Sequence, residues 1–413
     1  MKEKIKYIPI LYLIFITIWL RLVNLGYSDY QGDEIKALFL PASGQGLFDF
    51  LLHQRKGPTQ FIITYLVYLL HPSYSNESLT RSPFALVGIL TIYFFYRLVK
   101  LHYGRTVALY ASLFLTVNGL FIGLMRIVQY QPFVMFFSIL ALYAFSLALL
   151  NENWQIKGMY LGMLFWAIAL LTHYDGIYIS PFILYLLYRW YSQRTYLSSR
   201  TKVKHLVLPF AGLVLLLVSY YGPFFLSAAK DSQAYWLSRA TGLDQSAKSS
   251  SMVTFRIYNP LFVIYIYLAL GILSLVKIKK SFPIVLWFLF PWIILEVIIS
   301  DPGTHIYGYL IPATILNAFG AGRPANDHRQ VLNGILWVLP TGAPWRDMPE
   351  RYGKWTTVYS RFQRWRKNGV WDRIFAGLQT IKDREGRIDW EVHFIDGSVV
   401  RAHQHAAGAK KAA

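Results

Sequence analysis

Apolar runs long enough, or nearly long enough, to cross a bilayer recur from the first residues to about residue 319 and then stop. A helix needs roughly 20 apolar residues to span the hydrocarbon core. Runs near 8–25, 83–99, 106–125, 132–150, 158–172, 176–190, 206–226, 258–276, 282–299 and 306–319 approach or meet that length. They predict an α-helical polytopic membrane protein with about ten spans. The apolar run 59–71 is too short to span easily and is assigned to the interface or to a re-entrant segment. Composition agrees, since charged residues are 15% of the chain, against about 25% in ordinary soluble domains.

Charge fixes the expected orientation. Lys2, Lys4 and Lys6 precede the first run with no small-residue cleavage site after it, so an uncleaved first helix with a cytoplasmic N-terminus is expected. With 59–71 not spanning, three further basic clusters fall inside: Lys100 to Arg105, Arg189 to Lys204, and Lys277 to Lys280. Counting 59–71 as a span would put all three outside, against the positive-inside rule. Residues 26–82, 126–131, 227–257 and 301–305 then face outward, and everything after about 320 is cytoplasmic. The location expected is the inner membrane of a bacterium. No cysteine occurs, which excludes disulfides, thiolate zinc sites and cysteine nucleophiles.

Polar groups gather at the outer face. Asp33 and Glu34 are adjacent carboxylates just beyond the first helix, placed to act as a base, a clamp or metal ligands. Two solvated loop acids are the alternative. Arg126 and Gln129 to Gln131, Thr172 to Asp175, and Asp301 with His305 occupy other turns on that side. Each is weak alone, but a site acting on a lipid-linked substrate would need to lie there.

With Asp33-Glu34, Arg81-Ser-Pro-Phe-Ala-Leu-Val-Gly88, Tyr103-Gly104, Thr172-His-Tyr-Asp-Gly176 and Tyr309-Leu-Ile-Pro312 on the page, residues 1–318 resemble the GT-C glycosyltransferases. These use lipid-linked sugars and include protein O-mannosyltransferases and lipid A sugar transferases. The resemblance implies inverting transfer of a sugar from a polyprenyl-phosphate donor to an extracytoplasmic acceptor. Asp33 would be the catalytic base and Glu34 its supporting or metal-linked partner. Arg81, Arg126 or His173 would hold the donor phosphate, a task suited to Arg. Some relatives carry a second acid before the fourth span; here Arg126 to Pro132 has none. A divalent metal ion is the cofactor left open, and membrane lipid is an expected partner. A transporter or a non-catalytic membrane protein is the other reading, although mid-span charges are few and no internal repeat is evident.

The tail differs in kind. Residues 322–413 carry 16 Lys/Arg against 9 Asp/Glu. His328–Leu339 reads as an amphipathic helix with Val331, Ile335 and Leu339 on one face, and a second helix runs over about 355–367. Arg361, Arg364, Arg366 and Lys367 alternate there with Phe362 and Trp365, a pattern able to track DNA phosphates or simply to form a solvated face.

Gly322-Arg-Pro324, Asn333-Gly-Ile-Leu-Trp337, Thr341-Gly-Ala-Pro-Trp-Arg-Asp347, Trp355, Arg361-Phe362 and Trp365 resemble bacterial insertion-sequence transposases. Ile395-Asp396-Gly397 is similar to the first strand of their ribonuclease-H-like core, which makes Asp396 the first acid of the Asp-Asp-Glu triad. Such chemistry needs a two-metal clamp, and the other two acids do not follow. The expected organisation is a membrane transferase region over 1–319 and a small, mostly helical cytoplasmic domain over 320–390. The start of an incomplete core follows over 391–413. A gene fusion by insertion accounts for both halves; the alternatives are a DNA-binding remnant without transposition activity and a non-functional product.

Overall fold

The computed structural model describes residues 8–30, 32–54, 57–193, 198–227, 233, 237, 278–299, 303–321 and 328–384. Among them all regular structure is helical, and no strand occurs. The strand expected near 391–396, with Asp396, and the span at 258–276 lie outside the described residues. The chain divides into two compact units, Met1–Arg323 and Pro324–Ala413.

The first unit opens with α1 (Ile8–Leu22) and a segment holding three short helices, α2 (Asp33–Ala37), α3 (Leu47–Leu52) and α4 (Pro58–Leu70). Proline at the start of α4 suits a position whose N–H has no helical partner anyway. Next comes α5 (Glu77–Val117), capped by Asn76, whose Oδ1 accepts the Leu79 N–H at 3.0 Å. Gly104 interrupts it with φ 84° and ψ 175°, a conformation that glycine adopts without steric cost. One ribbon is therefore two helices, with the break at the Tyr103-Gly104 position read as a turn between spans.

The unit continues through α6 (Gly119–Leu124), α7 (Gln131–Leu150), α8 (Lys157–Thr172), α9 (Ser180–Gln193), α10 (Ser199–Ser227), α11 (Ile278–Ile293) and α12 (Tyr307–Ala321). By length and composition, α5, α7 and α10 are apolar enough to cross a membrane; α1, α4, α8 and part of α11 are shorter apolar helices.

The main core is built from Phe95, Ile139, Phe145, Phe182, Trp287 and Tyr309, among others on α5, α7, α8, α9, α11 and α12. Gly158 and Gly162, one turn apart on α8, let it approach α7. A Cβ on Gly158 would lie 2.5 Å from the Ala144 carbonyl oxygen, and one on Gly162 would lie 2.7 Å from the Phe145 ring. Small residues at this spacing bring membrane helices together. Outward, α1 exposes Leu11, Tyr12, Phe15 and Trp19, and α10 exposes Val207, Phe210, Leu215 and Leu226. Such continuous apolar surface suits lipid and not water.

The second unit contains α13 (His328–Thr341), α14 (Trp355–Lys367) and α15 (Val370–Arg384). Its core is Val331, Ile335, Val338, Met348 and Val358, rimmed by Trp337, Trp345, Trp355, Phe362, Trp365 and Trp371. Leu339, expected beside Val331 and Ile335, is exposed, and Val338 takes its place. Eight positions from Val331 overshoot two helical turns by about 80°, whereas seven nearly close them. Gly334 allows the tight contact, since a Cβ there would lie 2.9 Å from Met348 Sδ and 3.0 Å from Tyr352 Cβ.

Candidate active site

The two adjacent acids part company as soon as α2 forms. Helical geometry turns consecutive residues about 100° apart, so Asp33 and Glu34 face different surroundings. Asp33 stays half-exposed and pairs loosely with Lys36 at 3.6 Å. Glu34 is buried against Arg81, which donates from Nε to Oε1 and from Nη2 to Oε2, both at 2.9 Å. Glu34 Oε1 also accepts the Val128 N–H at 2.9 Å. The rest of the Arg81 guanidinium donates to the carbonyls of Leu25, Ser28 and Asp29. The arginine thus gathers the whole segment between α1 and α2 and fixes where Asp33 emerges.

Arg126 does similar work close by. The last carbonyls of a helix have no partner within it, and Arg126 donates to those of Leu20, Val23 and Asn24 at 2.9, 2.8 and 2.7 Å. A guanidinium has more N–H donors than these three carbonyls use. Arg21 of α1 lies buried nearby, close enough to feel the charge of Arg126. Its Nη1 donates to the Thr116 carbonyl at 3.3 Å, while Nε and Nη2 have no hydrogen-bond partner among the described residues.

His173 and Asp175 sit on the turn between α8 and α9, which Trp166 anchors by donating from Nε1 to the Gly176 carbonyl at 2.9 Å. The His173 ring stacks on Tyr130 at 3.9 Å between centroids and lies 5.4 Å from His305. His305, 130 residues further along, places Nδ1 2.7 Å from Asp175 Oδ2, and the Tyr307 hydroxyl donates to the same oxygen. Burial alone would raise the Asp175 carboxyl, but the neighbouring His173 and His305 imidazoles outweigh it and hold it well below the usual carboxylate range. Tyr130 is pushed well above the usual phenol range by burial first, then by Asp175, with a smaller contribution from Asp33. Asp33 and the histidine cluster therefore both act on one tyrosine.

Of the expected residues, Arg81, which holds Glu34, lies over the rings of Tyr27 and Tyr30, Arg126 lies over Tyr27, and His173 stacks on Tyr130. Reading the sequence missed the pairing of Asp175 with His305 and the buried Arg21. The only signal was the recurrence of histidine and acid in separate outer turns. In the second unit, Arg364, Arg366 and Lys367 are exposed, while Arg361 is half-buried 6.0 Å from the Trp365 ring.

Residues 56–221 match the family described as dolichyl-phosphate-mannose-protein mannosyltransferase, and residues 309–375 match a putative transposase family of the IS4/5 type. The second match begins inside α12, whose Tyr309, Ile311, Ile315 and Ala318 are buried in the first unit. In fold, the chain is similar to ArnT from Cupriavidus metallidurans, solved with bound undecaprenyl phosphate. The TM-score is 0.51 at 15% identity, covering 79% of this chain and 63% of that one. Over 93 residues it is 42% identical to the uncharacterized protein y4sN of Sinorhizobium fredii, covering 22% of this chain and 70% of that protein. Over 83 residues it is 37% identical to a 16.2 kDa uncharacterized protein of insertion element IS402 from Burkholderia cepacia, covering 20% of this chain and 56% of that protein. The chain thus spans less than two thirds of the length of ArnT and of the IS402 protein.

Proposed function

From a C-terminal segment that belongs to the IS4/5 putative transposase family, joined to a membrane unit of GT-C fold, we propose a membrane glycosyltransferase fused to a transposase fragment. The membrane unit transfers a sugar from a polyprenyl-phosphate donor to an acceptor outside the inner membrane, with both termini in the cytoplasm. The observation that carries this reading is the division of labour between the outer acids. Glu34 is consumed in holding Arg81, and Asp33 is left half-exposed with a loose pairing to Lys36. A base must reach a substrate proton, and of the two acids Asp33 alone is accessible.

Asp33 takes the proton from the acceptor hydroxyl as that oxygen attacks the anomeric carbon, and the lipid phosphate leaves from the opposite face. Arg126, with donors to spare and Arg21 behind it, receives the phosphate. Arg81 and His173, engaged by Glu34 and Asp175, serve the phosphate by fixing the walls of the site. Inversion needs no covalent enzyme intermediate. Asp33→Asn keeps the shape of the turn and removes the base. Membranes carrying that variant should lose sugar transfer from polyprenyl phosphate by at least about a hundredfold, the range for a positioned base. Transfer at the wild-type rate would refute the assignment.

The basic helix α14 of the tail keeps the capacity to hold duplex DNA through phosphates.

A further inference from the structure

We infer that His173, Asp175 and His305 form a binding site for a divalent cation of the zinc class. The three side chains come from two turns far apart in sequence, yet one ligand atom from each lies within 4.8 Å of the others. They are deeply placed, with side-chain exposures of 3%, 0% and 18% respectively, so His305 forms the mouth.

The decisive detail is the bonding of the carboxylate. Asp175 Oδ2 receives both His305 Nδ1 and the Tyr307 hydroxyl. Oδ1 is fully buried and has no hydrogen-bond donor among the described residues. The atom nearest it in the cluster is His173 Nδ1, at 3.1 Å. The Asp175 backbone N–H also approaches that nitrogen, at 3.2 Å, a long contact that ligation would replace. A cation bound by the orphaned Oδ1, by His173 and by His305 supplies the partner that the buried carboxylate oxygen lacks.

The surroundings fit. Tyr130 stacked on His173 and the Tyr307 hydroxyl on Asp175 fix ligand orientation, the role that outer groups play around metal ions. Two imidazoles and one carboxylate suit zinc and its neighbours. Magnesium and calcium prefer oxygen throughout. Three protein ligands leave a further position for an incoming oxygen.

The test uses the full chain in detergent. Protein purified without chelator is analysed for metals, then stripped and titrated with zinc and, separately, with cobalt. The expectation is stoichiometric zinc and a cobalt spectrum with the intense visible bands of a low-coordinate site. Asp175→Asn and His305→Ala should each weaken zinc binding by more than about tenfold, the effect of losing even an outer partner. His53→Ala, a surface histidine elsewhere, should change nothing. If wild-type protein binds neither metal, or binds them equally well in all three variants, the site is a protonated His173 ion-paired to Asp175 and the proposal is wrong. Because the cobalt spectrum is read on wild-type protein, a variant that fails to fold does not spoil the test. Metal binding is scored without any sugar transfer, so its failure leaves the Asp33 assignment standing.

Discussion

Arg81 sends five hydrogen bonds to Glu34 and to the carbonyls of Leu25, Ser28 and Asp29. A buried ion pair is worth little against an apolar pair of the same shape, but breaking one partner strands a charge. Arg81→Met should therefore destabilise the purified protein by about 3–5 kcal/mol, read as a fall in its unfolding midpoint in detergent. Arg81→Met combined with Glu34→Leu should recover part of that loss. A double variant no better than the single would mean that the three carbonyls, and not the acid, are what Arg81 chiefly serves. At this scale the sequence offers candidate residues without their surroundings. Asp33 and Glu34 look equivalent in sequence; the one-residue rotation on α2 and the arrival of Arg81 from α5 separate them. Asp175 and His305 stand in turns far apart in sequence, and nothing local in either turn announces the other.

Helices along this chain are specified by apolar length, and their contacts by small residues. On α8, Gly158 meets main-chain atoms of α7, at 2.5 Å for the Ala144 oxygen and 2.8 Å for the Ala148 nitrogen, whereas Gly162 meets the Phe145 ring. Backbone cannot step aside and a side chain can. Gly158→Val should lower stability by about 1–3 kcal/mol, the range for overpacking, and Gly162→Ala by clearly less, both measured as thermal unfolding in one detergent. Equal losses would show that the ring is as fixed as the backbone. Helix positions were readable because hydrophobic runs and Gly104 mark them. The division of α1 to α4 was less so, since α2 and α3 are short helices whose place is set by the Arg81 network and not by any periodicity.

Across the whole molecule, each unit has its own core. That of the second is five aliphatic or Met side chains ringed by tryptophans, with the basic side of α14 left outside. If that surface still grips nucleic acid, the full chain in detergent should retard duplex DNA, and the retardation should fade steeply as salt rises. Replacing Arg364, Arg366 and Lys367 with Gln should flatten the salt dependence. No retardation at low salt would leave α14 as a solvated face. The two-part organisation was plain from charge and from the end of the apolar runs. Its boundary was less legible, because composition drifts between Ala318 and Asn326 and no single residue marks the change.

The packing of α12 limits where foreign sequence can be spliced on. This helix lies against residues made much earlier in the chain. Gly308 sits so close to Tyr178 that a Cβ there would lie 2.6 Å from its ring, Tyr309 meets Phe288 edge-on at 6.0 Å, and Phe319 meets Tyr103 edge-on at 4.8 Å. A graft placed before this helix would leave those rings facing whatever the newcomer supplied. A graft placed after it disturbs none of them. On the fusion reading, the match that starts at residue 309 puts the incoming sequence inside this helix, so the newcomer itself lines part of the host's interior.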